Sequence, residues 1–300
     1  MKLGKKLRSV FSRAVPITSV MTPGQPAPQP GRNGLALVAI MRNEARHIED
    51  WIRFHAIAGV RNFYLYDDGS TDDAVCRARA IDGVTVTVVP WQLTTRLEEP
   101  RVRFSRQVMA YCHAIENFGD AFRWMGFIDI DEYLVPKQSF TILDVLDGLE
   151  DFTNISLPWT MFGPSGHDTP PDVPAPFAYG LRARDRAAPI LNFKCIVDPC
   201  DVTQVRVHRF RTGQMGRDSS NDVGVTASYK DRDGPGFVSA KALQLNHYYT
   251  RSRQELNEKL KKQAVSDASP DSRNPKILQK AKMIEATAVN DRSAVKFLAN

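Results

Sequence analysis

The sequence predicts an α/β fold with a mostly parallel central sheet and helices on both faces. Three observations carry this. Apolar runs of strand length alternate with segments of helical periodicity four times between residues 35 and 130. The strands read as continuous apolar runs, as strands covered on both faces do. The strongly polar motifs stand just after the strands rather than inside them.

"LALVAIM" (35–41) is the first buried strand, and "NEARHIEDWIRFHAIAG" (43–59) is a helix with Ile48, Trp51, Ile52, His55 and Ile57 mostly on one face, closed by Gly59. "NFYLYD" (62–67) gives a second strand, followed by the turn "DGSTDD" and a helix over about 72–81. "VTVTVVP" (84–90) is the third strand, "RFSRQVMAYCHAIENFG" (103–119) a long helix and "WMGFIDI" (124–130) the fourth strand. The second half is less regular. It offers an apolar piece "NISLPWTMFG" (154–163), a loop rich in proline and glycine (164–180), a strand "NFKCIV" (192–197) and a glycine-rich loop (212–236). A strand "ALQLNHYY" (242–249) and a helix over about 251–264 follow. Three regions result: a basic tail and proline-rich linker (1–33), the main domain (34–265) and a helical extension (266–300) with Ile277, Leu278, Met283 and Ile284 as a modest apolar face.

With 42% apolar and 25% charged residues the chain is of ordinary globular type. Its net charge of +6 belongs to the tail, because residues 1–33 hold Lys2, Lys5, Lys6, Arg8, Arg13 and Arg32 and no acid. The remainder is balanced, which gives no electrostatic case for a nucleic-acid partner. Cys76, Cys112, Cys195 and Cys200 show neither disulfide nor zinc spacing, so a reducing compartment is expected. No apolar run approaches the ~20 residues of a membrane span, and the N-terminus lacks a secretory h-region. A cytoplasmic location follows as the expectation. In the tail, Leu3, Leu7, Val10, Phe11, Ala14 and Val15 fall at helical spacing among lysines and arginines. That pattern fits both peripheral contact with the inner face of an anionic membrane and a disordered leader.

In a parallel sheet, ligands sit beyond the carboxyl ends of the strands. "RNE" (42–44), "DDGSTD" (67–72) and "DIDE" (129–132) all fall there, so three polar clusters converge on one crevice. On an extended segment Asp129 and Asp131 face the same side and can share a hard divalent cation. The alternative is that one of these acids caps "EYLVP" or pairs with Arg42. Glu132 is open to either reading, and Asp72 to capping the following helix.

The stretches "VAIMRNEARHIEDWIRFHAIAGVRNFYLYDDGSTD", "GFIDIDEYLVP", "LPWTMFGPSGH", "KCIVDP" and "LNHYYTRSRQELNEK", in this order and spacing over about 35–262, resemble the glycosyltransferases of the family 2-like and family 92 group. The resemblance implies a GT-A fold with a Rossmann-like nucleotide-binding half and an irregular acceptor-binding half. It further implies a nucleotide-sugar donor, most often a UDP-sugar, with Mn²⁺ or Mg²⁺ bridging its diphosphate, and inversion at the sugar. Carried onto this chain, Asp68 meets the uracil or ribose, Asn43 and Glu44 flank the nucleotide, and Asp129 lies near the ribose and metal. Asp131 is the direct metal ligand and His247 reaches the metal or diphosphate. Lys194 serves the diphosphate or the acceptor, and Arg42, Arg103 and Arg106 are candidates for the phosphates, with Arg103 better read as a solvated side chain. For the general base, "FGPSGHD" offers Asp168 first and His167 second. Trp159 and Phe162 are open between a sugar platform and core packing. The acceptor is expected to be a glycan or a lipid-linked molecule, in polysaccharide synthesis from the cytoplasmic side.

Two other classes compete. A sugar nucleotidyltransferase wants a glycine-rich phosphate loop after the first strand, where this chain has "MRNEA". A non-catalytic nucleotide-sugar or glycan-binding module would be favoured by an altered D-x-D, yet Asp129, Asp131 and His247 are all present.

Overall fold

The computed structural model describes residues 17–92, 96–97, 102–186, 189–266 and 270–299. The amphipathic spacing at 3–15 and the side chain of Arg103 lie outside the described residues. Ten strands build the central sheet: β1 (Leu35–Met41), β2 (Asn62–Asp67), β3 (Thr85–Pro90), β4 (Trp124–Phe127), β5 (Glu132–Pro136), β6 (Asn154–Met161), β7 (Phe193–Val197), β8 (Asp218–Ser220), β9 (Thr226–Ser228) and β10 (Leu243–His247). Their order is β9-β8-β6-β7-β4-β1-β2-β3, and β10 joins the sheet through β5 and β6. Strands β1 to β4 pair in parallel, as the sequence predicts. Beyond β4 the sheet is mixed, with β7 antiparallel to both β4 and β6.

The helices are α1 (Ile48–Ile57), α2 (Ala74–Arg79), α3 (Arg106–Phe118), α4 (Ile142–Leu146), α5 (Ala175–Ala178), α6 (Arg253–Ser266), α7 (Pro270–Ala286) and α8 (Ser293–Leu298). Strand β1 shows why helices cover both faces. Its Leu35, Leu37, Ala39 and Met41 pack with Trp51, Ile52 and Ala74 of α1 and α2, whereas Ala36 and Val38 pack with Val108, Tyr111 and Ile115 of α3. Gly126 sits opposite Leu37 across the β1–β4 pair, where a Cβ would stand 2.7 Å from Leu37 Cδ2. Ser105 starts α3 by accepting a hydrogen bond from the Val108 amide.

Three elements differ from the sequence expectation. The fourth strand stops at Phe127, because Asp129 to Glu132 close a turn with the Glu132 amide on the Asp129 carbonyl at 3.0 Å. "EYLVP" is a strand of its own, β5, antiparallel to β10. The proline-rich stretch is bound along the domain: the Gly24 amide donates to Glu116 at 2.7 Å, and Arg32 clasps Asp198 with two bonds of 2.7 and 2.6 Å. The C-terminal extension also returns to the domain. Residues 288–290 pair with 181–183, and Ile277 and Ile284 are buried while Leu278 is exposed.

The chain order reverses between β1 and β4, since β2 and β3 continue on one side of β1 and β4 lies on the other. Ligand crevices of α/β sheets open at such a point.

Candidate active site

Backbone geometry prepares the loop after β1. Asn43 adopts a left-handed conformation with φ 56°, from which its amide donates to Ser70 Oγ (2.9 Å) and its Oδ1 accepts from the Thr71 amide (2.7 Å). Asp72 completes the latch by accepting from the Ala45 amide at 2.9 Å and the Ala74 amide at 3.1 Å. The expected helix cap is therefore also the tie between two loops. Asp68 points elsewhere and pairs with Arg106.

The turn after β4 distributes its three carboxylates among different partners. Asp129 accepts from Lys194 Nζ and from Gln107 Nε2, both at 2.8 Å. Asp131 stands 3.3 Å from His247 Nε2 on β10 and 3.3 Å from Lys259 Nζ on α6. Glu132 is fully buried and accepts from Trp159 Nε1 at 2.6 Å and from the Asp129 amide at 2.8 Å.

Each charge answers to this setting. Burial opposes ionisation of Asp131, but Lys259, His247 and Arg251 overcome it and hold the carboxyl well below its ordinary range. Burial pushes Glu132 well above that range, against the pull of Lys194. Lys194 is itself buried, yet Asp129 and then Glu132 outweigh desolvation and keep its ammonium above the usual value. Lys194 thus pairs with Asp129 at 2.8 Å, and Glu132 lies farther from the ammonium, at 3.6 Å. Burial lowers the pKa of His247, whose Nδ1 is buried without a hydrogen-bond partner.

A cavity of about 790 Å³ opens beside this turn, within the range of small-molecule sites. Arg42, Asn43, Asp131, Tyr249, Arg251 and Lys259 line it. Arg251 has φ 49° and donates to Glu44 at 2.9 Å across the mouth. Ser252 and Glu255 form a capping box at the start of α6: the Glu255 amide donates to Ser252 Oγ (3.2 Å) and the Ser252 amide to Glu255 Oε2 (3.0 Å). The other Glu255 oxygen lies 2.6 Å from His47 Nε2. Burial would raise the Glu255 pKa, but the bonds from His47 and Ser252 bring it down to about 2.

A family model for glycosyltransferase family 92 matches residues 38–274, the span that holds every element of this site. The chain belongs to glycosyltransferase family 92. A family 92 protein of Oryza sativa subsp. japonica is 29% identical over 190 residues, which cover 58% of this chain and 30% of that protein. One of Ricinus communis is 27% identical over 149 residues, 46% of this chain and 25% of its own length. One of Arabidopsis thaliana is 22% identical over 166 residues, covering 50% and 27% respectively. The family 92 chain spans well under half the length of the curated relatives it matches.

The structure brings some of the sequence-predicted residues together and separates others. Arg42, Asn43, Glu44 and Asp131 line one cavity, with His247 behind Asp131. Asp68 and Arg106 form their own pair, and Lys194 is spent on Asp129. Among the described residues, no three or more His, Cys, Asp or Glu side chains stand close enough to enclose a metal ion. The expected trio of Asp129, Asp131 and His247 is therefore split, because the segment is a turn rather than an extended strand. What remains is one carboxylate oxygen and one imidazole nitrogen 3.3 Å apart. Two adjacent ligands of an octahedral ion, each at ~2.1 Å, stand roughly 3 Å from one another, so the spacing of this pair would suit a divalent ion such as Mn²⁺ or Mg²⁺.

His167 and Asp168 do not line the cavity. Their carbonyls accept from the amides of Arg253 and Gln254 at the start of α6, the His167 ring lies against the Ala178 carbonyl, and the exposed Asp168 side chain is 3.5 Å from Arg253. Trp159 and Phe162 are both buried, so they are core and not a sugar platform. Sequence reasoning missed Arg251, Lys259 and the His47–Glu255 contact. The S-x-x-E pattern of "SRQE" (252–255) could have placed Glu255, but nothing local announces a partner 208 positions away.

Proposed function

We propose that this family 92 chain transfers a sugar from a nucleotide-sugar donor to a hydroxyl of a glycan or lipid-linked acceptor, with inversion at the sugar. The observation that carries this reading is the cavity at the strand-order reversal, into which Asp131 faces with His247 and Lys259 on the same oxygen. The choice of UDP over other nucleotides rests on the family resemblance.

The cavity wall holds five basic side chains and six acidic ones, so it carries no net positive charge for a diphosphate. A divalent ion on Asp131 and His247 would supply it and act as a Lewis acid toward the departing phosphate oxygen. Lys259, whose side chain is a third exposed, is placed to turn from Asp131 to the donor's phosphates. Arg251, locked on Glu44, holds a fixed positive charge at the mouth. On the wall, His47 is suited to take the acceptor proton. Burial and Arg251 lower its pKa, which keeps it neutral near pH 7, and the bond to Glu255 sets its ring orientation.

Release of UDP, GDP and CDP from a panel of donor sugars, with and without Mn²⁺, tests the reading. The expected result is metal-dependent UDP release that falls at least ~10-fold in Asp131→Asn and in His247→Gln, with the double variant little worse than either single one. Tight donor binding without turnover on any acceptor would favour the non-catalytic module. Full activity in Asp131→Asn would remove the proposed metal site.

A further inference from the structure

Helices α6 and α7 lie side by side in opposite directions, and the contact of Arg253 Nη2 with Glu285 Oε2 at 3.2 Å fixes their register at one end. Further along, that register sets Lys280 of α7 across from Lys259 of α6. Both ammonium groups face one ring: Lys259 Nζ stands 4.4 Å and Lys280 Nζ 5.8 Å from the centroid of Tyr249. Lys280 is also 5.7 Å from the Trp159 ring. Both rings pack against His247, with centroids 4.5 Å (Trp159) and 5.2 Å (Tyr249) away. Ile277, Ala281 and Ile284, buried on the same helix, hold α7 in this position.

Neither packing nor pairing accounts for this lysine. Attraction between an ammonium and a ring fades by ~6 Å, and Lys280 stands at that limit from both rings. Among the described residues no carboxylate pairs with it. Burial lowers its pKa, and Lys259 and Lys276, both positive, lower it further. Like charges held together repel, and an anion set between them turns the repulsion into attraction.

The cavity is where that anion can come from. Tyr249 and Lys259 line it, so Lys280 stands one ring behind its wall, and the flexible four-carbon stem of a lysine can carry the ammonium past a ring edge. We infer that Lys280 is a ligand of the donor's diphosphate, brought to the site by a helix of the C-terminal extension. The family match ends at residue 274, so this contact comes from outside the matched span. A nucleobase or an uncharged sugar would leave both ammonium groups unneutralised, whereas a diphosphate offers each of them charged oxygens. The inference rests on the sugar-transfer reading, and the test separates the two.

Titration calorimetry of the full chain with UDP and with uridine, both in the presence of Mn²⁺, is that test. Lys280→Met is expected to bind UDP ~10-fold more weakly, the loss of one charge-assisted phosphate contact, with uridine affinity unchanged. Lys280→Arg should recover most of the UDP affinity. The thermal midpoint of Lys280→Met should not fall, since the substitution removes a repelled charge. Equal UDP affinity in Lys280→Met and the parent overturns the inference, and so does a matching loss of uridine affinity, because the change then lies in the fold. In both cases Asp131→Asn, by still weakening UDP binding, leaves the donor reading in place. A parent chain that binds UDP no tighter than uridine overturns the two together. If Lys280→Met does not fold, the parent chain decides: UDP but not uridine should protect Lys280 from acetylation by acetic anhydride, read by mass spectrometry, and unchanged labelling refutes the inference.

Discussion

Replacing Lys194 with methionine separates a structural cation from a substrate-binding one. Lys194 is buried, 2.8 Å from Asp129 and 3.6 Å from Glu132. Methionine keeps the volume and removes the charge. Breaking a buried pair from one side costs about 3–5 kcal/mol. Here the Asp129 side chain is 33% exposed, so water recovers part of its solvation and the lower end, about 3 kcal/mol, is the expected loss. For a 300-residue chain that is a drop in Tm of about 5 °C. Urea unfolding should show the loss, and adding Asp129→Asn to Lys194→Met should restore more than half of it, since the orphaned charge is then gone. Calorimetry with the donor supplies the contrast. If Lys194→Met unfolds within ~0.5 kcal/mol of the parent but binds donor much more weakly, Lys194 is a phosphate ligand and the pairing deduced above is wrong.

Two other perturbations test the fold. His55 is buried, its Nδ1–H donating to the Trp51 carbonyl and its Nε2 accepting from the Leu134 amide, and burial takes its pKa down to about 3. Between that value and the unfolded one of about 6.5 the unfolded state holds the extra proton, so stability falls as pH drops. The loss from His55 alone is about 2 kcal/mol at pH 5 relative to pH 7, and a urea midpoint that does not move over that interval would contradict it. His47, His208 and His247 are lowered too and act in the same direction. Gly126→Ala would drive a methyl to 2.7 Å from Leu37 Cδ2 between two buried strands, and should cost about 1–3 kcal/mol. An unchanged thermal midpoint would show that β1 and β4 are not packed so closely.

The parallel half of the sheet was legible because its strands are buried on both faces and so read as plain apolar runs, and because α1 and α3 carry helical periodicity. Strand β5 escaped, since five residues beginning with a glutamate and ending in a proline do not look like an interior strand. Only the pairing with β10, more than a hundred positions later, makes them one. At the site, Asp131 and His247, more than a hundred positions apart in sequence, stand 3.3 Å from one another. Asp129 and Asp131 take different partners, because the turn that parts them is set by Glu132, and hydropathy does not foresee a fully buried carboxyl. His167 and Asp168 sit in a motif with the right composition for catalysis, but what the loop contributes is two backbone carbonyls at the start of α6.

Asn43 and Arg251 are both non-glycine residues with positive φ, and they stand at the cavity, one after β1 and the other after β10. Each such residue costs on the order of 1–3 kcal/mol, drawn from the stability of the whole domain. The cost is met at folding, so a ligand arriving at those two positions finds the backbone already set and spends none of its affinity on ordering it. Glycine at either position would relax the backbone but remove the Asn43 or Arg251 side-chain bond that ties its loop, so the mould would slacken without a gain in stability.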